Sequence, residues 1–139
     1  MSDPSYALQV ALVTALKAIP TAAGTRVYDE VPRSASTGEV TATFPYISIG
    51  TGDASPVDEE CWDRTTTVLP VDVWSRAVGF PEAKQIAGAI RDRLHEGEMT
   101  ITGHTLDRMH VDRMDYIRDP DGKTRRVRLT LEIDTQPSD

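Results

Sequence analysis

The sequence predicts an α+β protein: a mixed, mostly antiparallel β-sheet with two α-helices packed against it. Three observations carry this. Leu8–Ile19 and Ala83–Leu94 each repeat apolar residues at helical spacing. Val127, Leu129, Leu131 and Ile133 alternate with Arg128, Thr130 and Glu132, the period of a half-buried strand. Asp119-Pro120-Asp121-Gly122 stands just before that strand as a turn. The order read along the chain is helix, two or three strands, helix, three strands, within one domain over residues 1–139.

Asp3-Pro4 sets the first helix start, with an N-cap carboxylate followed by proline at the first helical position. Leu8, Leu12, Ala15 and Ile19 form its apolar face and Pro20 ends it. Val10 and Val13 add apolar surface on another side, so this helix is covered on two sides, by its own sheet and by a neighbour, or sinks wholly into its own core. Thr25 to Val31 reads as a short extended piece, Pro32 to Thr43 as a polar loop, and Pro45 to Gly50 as a strand. Thr51 to Asp63 reads as an acidic loop.

Thr65 to Ser75 is a strand with Leu69, Val71 and Val73 on one face and Val68 and Trp74 on the other. Pro70 cannot donate a ladder hydrogen bond, which predicts an edge strand or a bulge there. Trp74 is expected in core packing. The second helix is expected over Pro81 to His95, with Ala83, Ile86, Ala87, Ile90 and Leu94 buried and Gly97 as its stop. Thr100 to Thr102 and Met109 to Arg118 read as extended, and Gln136 to Asp139 as a loose tail.

A chain of 139 residues buries roughly two thirds of its unfolded surface. No run of apolar residues is long enough to span a membrane. The N-terminus lacks the leading basic residues of a secretory signal. The single cysteine, Cys61, excludes an internal disulfide framework and fits a reducing cytoplasm. A net charge of −7 argues against a protein that grips DNA by its phosphates. The charge is segregated, with Asp53, Asp58, Glu59, Glu60 and Asp63 in one stretch and Arg125, Arg126 and Arg128 in another. Partner-facing surfaces and solvated loops both look like this.

No catalytic, cofactor or metal site is legible. His95, His104 and His110 give no pair on one helical face and no His-x-His on a strand. Asp119-x-Asp121-Gly122 departs from a calcium loop at Lys123 and at the position of its glycine. Gly50-Thr51-Gly52 leads into acids rather than a helix N-terminus, so it makes no phosphate cradle. Cys61 lies between Glu60 and Trp62, an anionic setting that disfavours the thiolate. Trp62, among acids, suits an anchor in a protein contact.

One set of pieces recurs in order. It runs from the helix ALQVALVTALKAI through Arg26-Val27-Tyr28-Asp29 and Val31-Pro32 to Phe44-Pro45-Tyr46-Ile47-Ser48-Ile49-Gly50. Val71-Asp72-Val73-Trp74-Ser75-Arg76, then Glu82-Ala83 and the hairpin Arg118 to Arg125 complete it. In order and spacing these resemble the tail-completion, or tail-terminator, proteins of long-tailed phages and of prophage-derived particles such as gene transfer agents. The resemblance implies a non-enzymatic virion component, made in the cytoplasm of the bacterial host and then held in the tail or neck. Its subunits would form a homo-hexameric ring on the head-proximal end of the tail tube, stopping tube growth and joining the tail to a head–neck stopper or connector protein. DNA would pass through the lumen without specific binding, and no cofactor, metal or membrane is implied.

On that reading Asp53, Asp58, Glu59 and Glu60 are expected at the lumen or a tube-facing rim. Trp62, Pro70, Asp119, Asp121, Lys123 and Arg125 are expected at subunit or tube contacts. Two rival readings remain: another neck component, such as a stopper or head-completion protein, and a small cytoplasmic enzyme or ligand-binding domain.

Overall fold

The computed structural model describes residues 3–59 and 62–138, and for 58, 59 and 62 the backbone alone. Eight elements follow in order: α1 (Ser5–Ala18), β1 (Val27–Tyr28), β2 (Tyr46–Ile49), β3 (Asp53–Glu59), β4 (Trp62–Ser75), α2 (Pro81–Leu94), β5 (His104–Arg118) and β6 (Arg125–Pro137). Six strands make one sheet in the order β1-β2-β4-β6-β5, with β3 also on β4. Only β1 and β2 run parallel; the other pairings are antiparallel. The fold class is the one the sequence predicts.

Both helices bury their apolar stripes on one face of this sheet. From α2 come Ala83, Ile86, Ala87, Ile90 and Leu94, the five residues predicted. From α1 come Leu8, Ala11, Leu12, Ala15 and Leu16. They meet Ile47, Val71, Val73, Val127, Leu129, Leu131 and Ile133 in one core. Each large aliphatic side chain buried there contributes about 1.5–3 kcal/mol. The start of α1 shifts by one residue: Pro4 is the N-cap, and the Asp3 carboxylate accepts the Ser5 amide at 2.9 Å.

Several expectations are corrected. Thr51 to Asp63 is no loop: β3 and the start of β4 pair from Asp53↔Val68 to Glu59↔Trp62. The acids hid this hairpin because β3 is a largely exposed strand, and its outer half with Trp62–Arg64 extends beyond β6, where no apolar alternation is needed. Pro70 lies inside β4, between two neighbouring ladders. Its carbonyl accepts the Gly50 amide at 2.8 Å, while β2 pairs only up to Val71 and β3 only from Val68. Its missing N–H therefore faces the break between β2 and β3, and β4 is an inner strand rather than the edge expected. Gly50 and Gly52 make the break possible. A Cβ on Gly50 would collide with the Pro70 ring, and one on Gly52 (φ +60) with the Val68 carbonyl.

Trp74 is also placed differently. It lies half-buried on the sheet face away from the helices, its indole N–H donating to Ser48 Oγ at 2.8 Å. The stop of α2 uses Glu96 (φ 55) as the left-handed residue. Gly97 serves by size, since a Cβ there would strike the Arg93 carbonyl. Gln136 and Pro137, expected loose, continue β6 against Thr105 and His104. The strand count is thus four before α2 and two after it.

Candidate assembly surfaces

With the apolar face closed by α1 and α2, the other sheet face is left to polar residues. Alternation puts Tyr46 and Ser48 of β2, Asp72 and Trp74 of β4, and Arg126 and Arg128 of β6 there side by side. Tyr46 stacks on Trp74 with ring centroids 6.0 Å apart, and Tyr28 and Phe44 pack on Tyr46 at 5.8 and 4.9 Å. Two guanidiniums sit on this aromatic floor, Arg126 over Trp74 at 4.8 Å and Arg76 over Phe44 at 4.1 Å. Burial raises the Tyr46 phenol above its ordinary pKa, so the cluster stays uncharged on its tyrosine.

Asp72 anchors the patch. Only 6% exposed, it accepts two hydrogen bonds from one Arg128 guanidinium, at 2.9 and 3.0 Å, with Arg126 3.7 Å away. The Asp72 hydrogen bonds raise the Arg128 pKa further. Aromatic rings and arginines held in a preset geometry are the composition of interface centres.

The turn between β5 and β6 is built by Asp121. Its carboxylate accepts the Lys123 amide at 2.9 Å, the Thr124 amide at 2.8 Å and the Thr124 hydroxyl. Those bonds, the hydroxyl first, hold its pKa down at about 2. Arg76 bonds Thr124 Oγ1 at 3.1 Å and tethers the turn to the end of β4. Lys123 is left exposed at the tip and Arg125 half-buried, its Nη1 donating to the Gly122 carbonyl at 3.4 Å.

The expected site residues are spread along β4: Pro70 lies inside it, Asp53 stands opposite Val68, and the others gather toward its two ends. Asp53 begins β3, exposed, and Asp58 and Glu59 lie on its backbone near the tip of the β3–β4 hairpin; Glu60 lies outside the described residues. Trp62 opens β4, its side chain likewise outside them. Asp119, Asp121, Lys123 and Arg125 lie at the other end of β4, where Ser75 pairs with Arg125. Thirteen strand steps separate Trp62 from Ser75, roughly 40 Å along the strand. The acidic tip and the basic turn are thus opposite ends of one subunit.

The outer-face cluster escaped the sequence. Its signal was present in the alternation of β6, but joining Asp72 to Arg128 needed the strand register. On α1, Tyr6 and Val10 are 81% and 49% exposed, so the second apolar side expected from Val10 stays uncovered within the subunit. A groove of about 630 Å³ runs between the end of α2 and the start of β5. Its polar groups are turned to one another: Arg108 binds Glu96 at 2.7 Å, and Arg93 donates to the Glu98 carbonyl at 3.0 Å. The Arg108 hydrogen bond holds the Glu96 pKa below its ordinary value, opposite to what a general acid needs. Among the described residues, no helix is long and apolar enough to cross a membrane.

Comparison with known proteins agrees with this architecture. The family described as "Tail completion protein gp17" matches residues 10–136. A solved chain from the "Virion of native gene transfer agent (GTA) particle" superposes with a TM-score of 0.81 at 25% identity, covering 98% of this chain and 99% of that one. No curated protein matches the sequence.

Proposed function

The chain belongs to the tail-completion protein gp17 family, and from that membership we propose that it is a tail terminator: a structural subunit that, as a six-fold ring, caps the head-proximal end of the tail tube. The ring ends tube growth and offers its far side to the stopper or connector of the head neck. DNA passes through the lumen. The subunit works as one tail-terminator-like domain, has no catalytic step, and moves from the host cytoplasm into the tail during assembly. The observation that carries the reading is end-to-end likeness to a virion chain, 98% of one against 99% of the other.

The geometry supports it in three respects. A piece held between tube and neck needs two different axial ends, and the acidic β3–β4 tip and the Asp119–Arg125 turn lie at opposite ends of β4. A closed ring needs two unlike lateral faces on each subunit. The Tyr46–Trp74–Arg126 floor and the bare Tyr6–Val10 flank of α1 are such a pair, and among the described residues β3 pairs on one side only. A lumen that passes DNA must not hold phosphates, and Asp53, Asp58, Glu59 and Glu60 line it or the tube-facing rim in this reading.

Gold labelling of a tagged chain on purified particles tests the placement. Label at the tail's head-proximal end supports the terminator. Label on isolated, tailless heads assigns the protein to the head side of the neck.

A further inference from the structure

The outer sheet face also carries a second cluster, made of groups that can ligate a metal. His110 of β5 stands directly opposite Glu132 of β6, with Nε2 and Oε2 3.3 Å apart. The β5–β6 register slips between Val111 and Arg113, leaving Asp112 as an extra residue. Such a bulge re-aims a side chain. Here it brings the Asp112 carboxylate to the same spot: one donor atom from each of His110, Asp112 and Glu132 lies within 4.8 Å of the others.

We propose that His110, Asp112 and Glu132 bind a divalent transition-metal ion of the zinc type. Two ligands on one such ion, with bonds of about 2.1 Å, stand about 3.4 Å apart at a tetrahedral angle and about 4.2 Å when opposed. The His110–Glu132 separation already meets the first value. The Asp112 side chain is exposed and free to turn inward by the remainder.

Charge and chemistry agree with this. A neutral imidazole and two carboxylates balance an ion of charge +2. The surrounding guanidiniums are taken: Arg108 pairs with Glu96, Arg113 with Asp115, and Arg126 and Arg128 with Asp72. Among the described residues neither Asp112 nor Glu132 forms a salt bridge with a Lys or Arg, although the charges of Arg113 and Arg108 reach them from farther off. One nitrogen in an otherwise oxygen donor set favours zinc, manganese or cobalt over calcium and magnesium. Among the described residues His110 Nδ1 is buried without a hydrogen-bond partner, and the His95 ring packs edge-on against His110 at 6.5 Å. The ion would tie the β5 bulge to β6 and keep open positions for water.

Calorimetric titration of the metal-stripped full chain with zinc chloride tests the site, with circular dichroism of each variant as the check on folding. The expected result is one ion per chain. Binding should weaken by tenfold or more in Asp112→Asn and in Glu132→Gln, with His104→Ala unchanged. Cobalt in place of zinc should give an absorption band that both variants lose. No uptake by the wild-type chain would overturn the proposal. So would uptake that both folded variants keep, or that His104→Ala loses equally.

Discussion

Asp72 is buried and Arg128 is not: the carboxylate is 8% exposed in its side chain and the guanidinium that grips it 39%. The two ends of this ion pair therefore differ in what they lose when separated. An arginine released from the pair swings into water, whereas a carboxylate stripped of its fork stays in the sheet with Arg126, among the described residues, 3.7 Å away. Arg128→Met should cost about 1–3 kcal/mol, below the range for fully buried pairs because one partner is solvated. Arg128→Lys should recover only part, since an ammonium cannot make both bonds. Urea unfolding of the two variants measures this; equal stability in both would show that the forked geometry contributes nothing.

The Asp121 turn predicts an acid response. Its carboxyl titrates near 2 when folded, against an ordinary 3.8. A depressed folded pKa gives stability that is complete above the ordinary value and is lost as the pH falls through about 2. Asp121→Asn should therefore be less stable than the wild type at neutral pH, and the gap should close between about pH 4 and pH 2. Denaturation midpoints across that range decide it, and a gap independent of pH would assign the turn's stability elsewhere.

Two glycines, both with positive φ, should respond differently to alanine. Gly122 (φ +76) has open space around it, so Gly122→Ala costs only the left-handed backbone, about 1–2 kcal/mol. Gly52 (φ +60) adds a collision with the Val68 carbonyl, a backbone atom that cannot turn aside. Gly52→Ala should cost clearly more, about 2–4 kcal/mol, and loosen β3 from β4. Hydrogen exchange on the amides of β3 reports the loosening, and protection equal to that of Gly122→Ala would count against it.

These cases show what the sequence made legible. Both helices, the two faces of β6 and the Asp119–Gly122 turn rest on short-range patterns, and all are found. The β3–β4 hairpin was missed because polar ribbons carry no apolar period. Pro70 was misplaced because its tolerance depends on a break in a neighbouring strand 20 residues earlier, at Gly50. The Asp72–Arg128 pair spans 56 positions and the His110–Asp112–Glu132 group depends on a bulge. Register across strands is a tertiary fact, and no local pattern encodes it.

The basic turn should matter for assembly and not for folding. Lys123 is exposed and Arg125, half-buried, donates one long bond of 3.4 Å to the Gly122 carbonyl, so Lys123→Glu with Arg125→Glu should lower the melting temperature modestly and leave the chain folded. Particle yield should fall sharply, because the charge presented at that end of the subunit reverses. Normal yield from the double variant would remove this turn from the contact surface.

If this subunit stops tube growth, its loss must show in tail length. Deletion of its gene in a producing strain, read by negative-stain electron microscopy, should give tails that are overlong or scattered in length and separate from filled heads, with normal length restored by a plasmid copy. Tails of uniform, normal length beside leaking or tailless heads would contradict it.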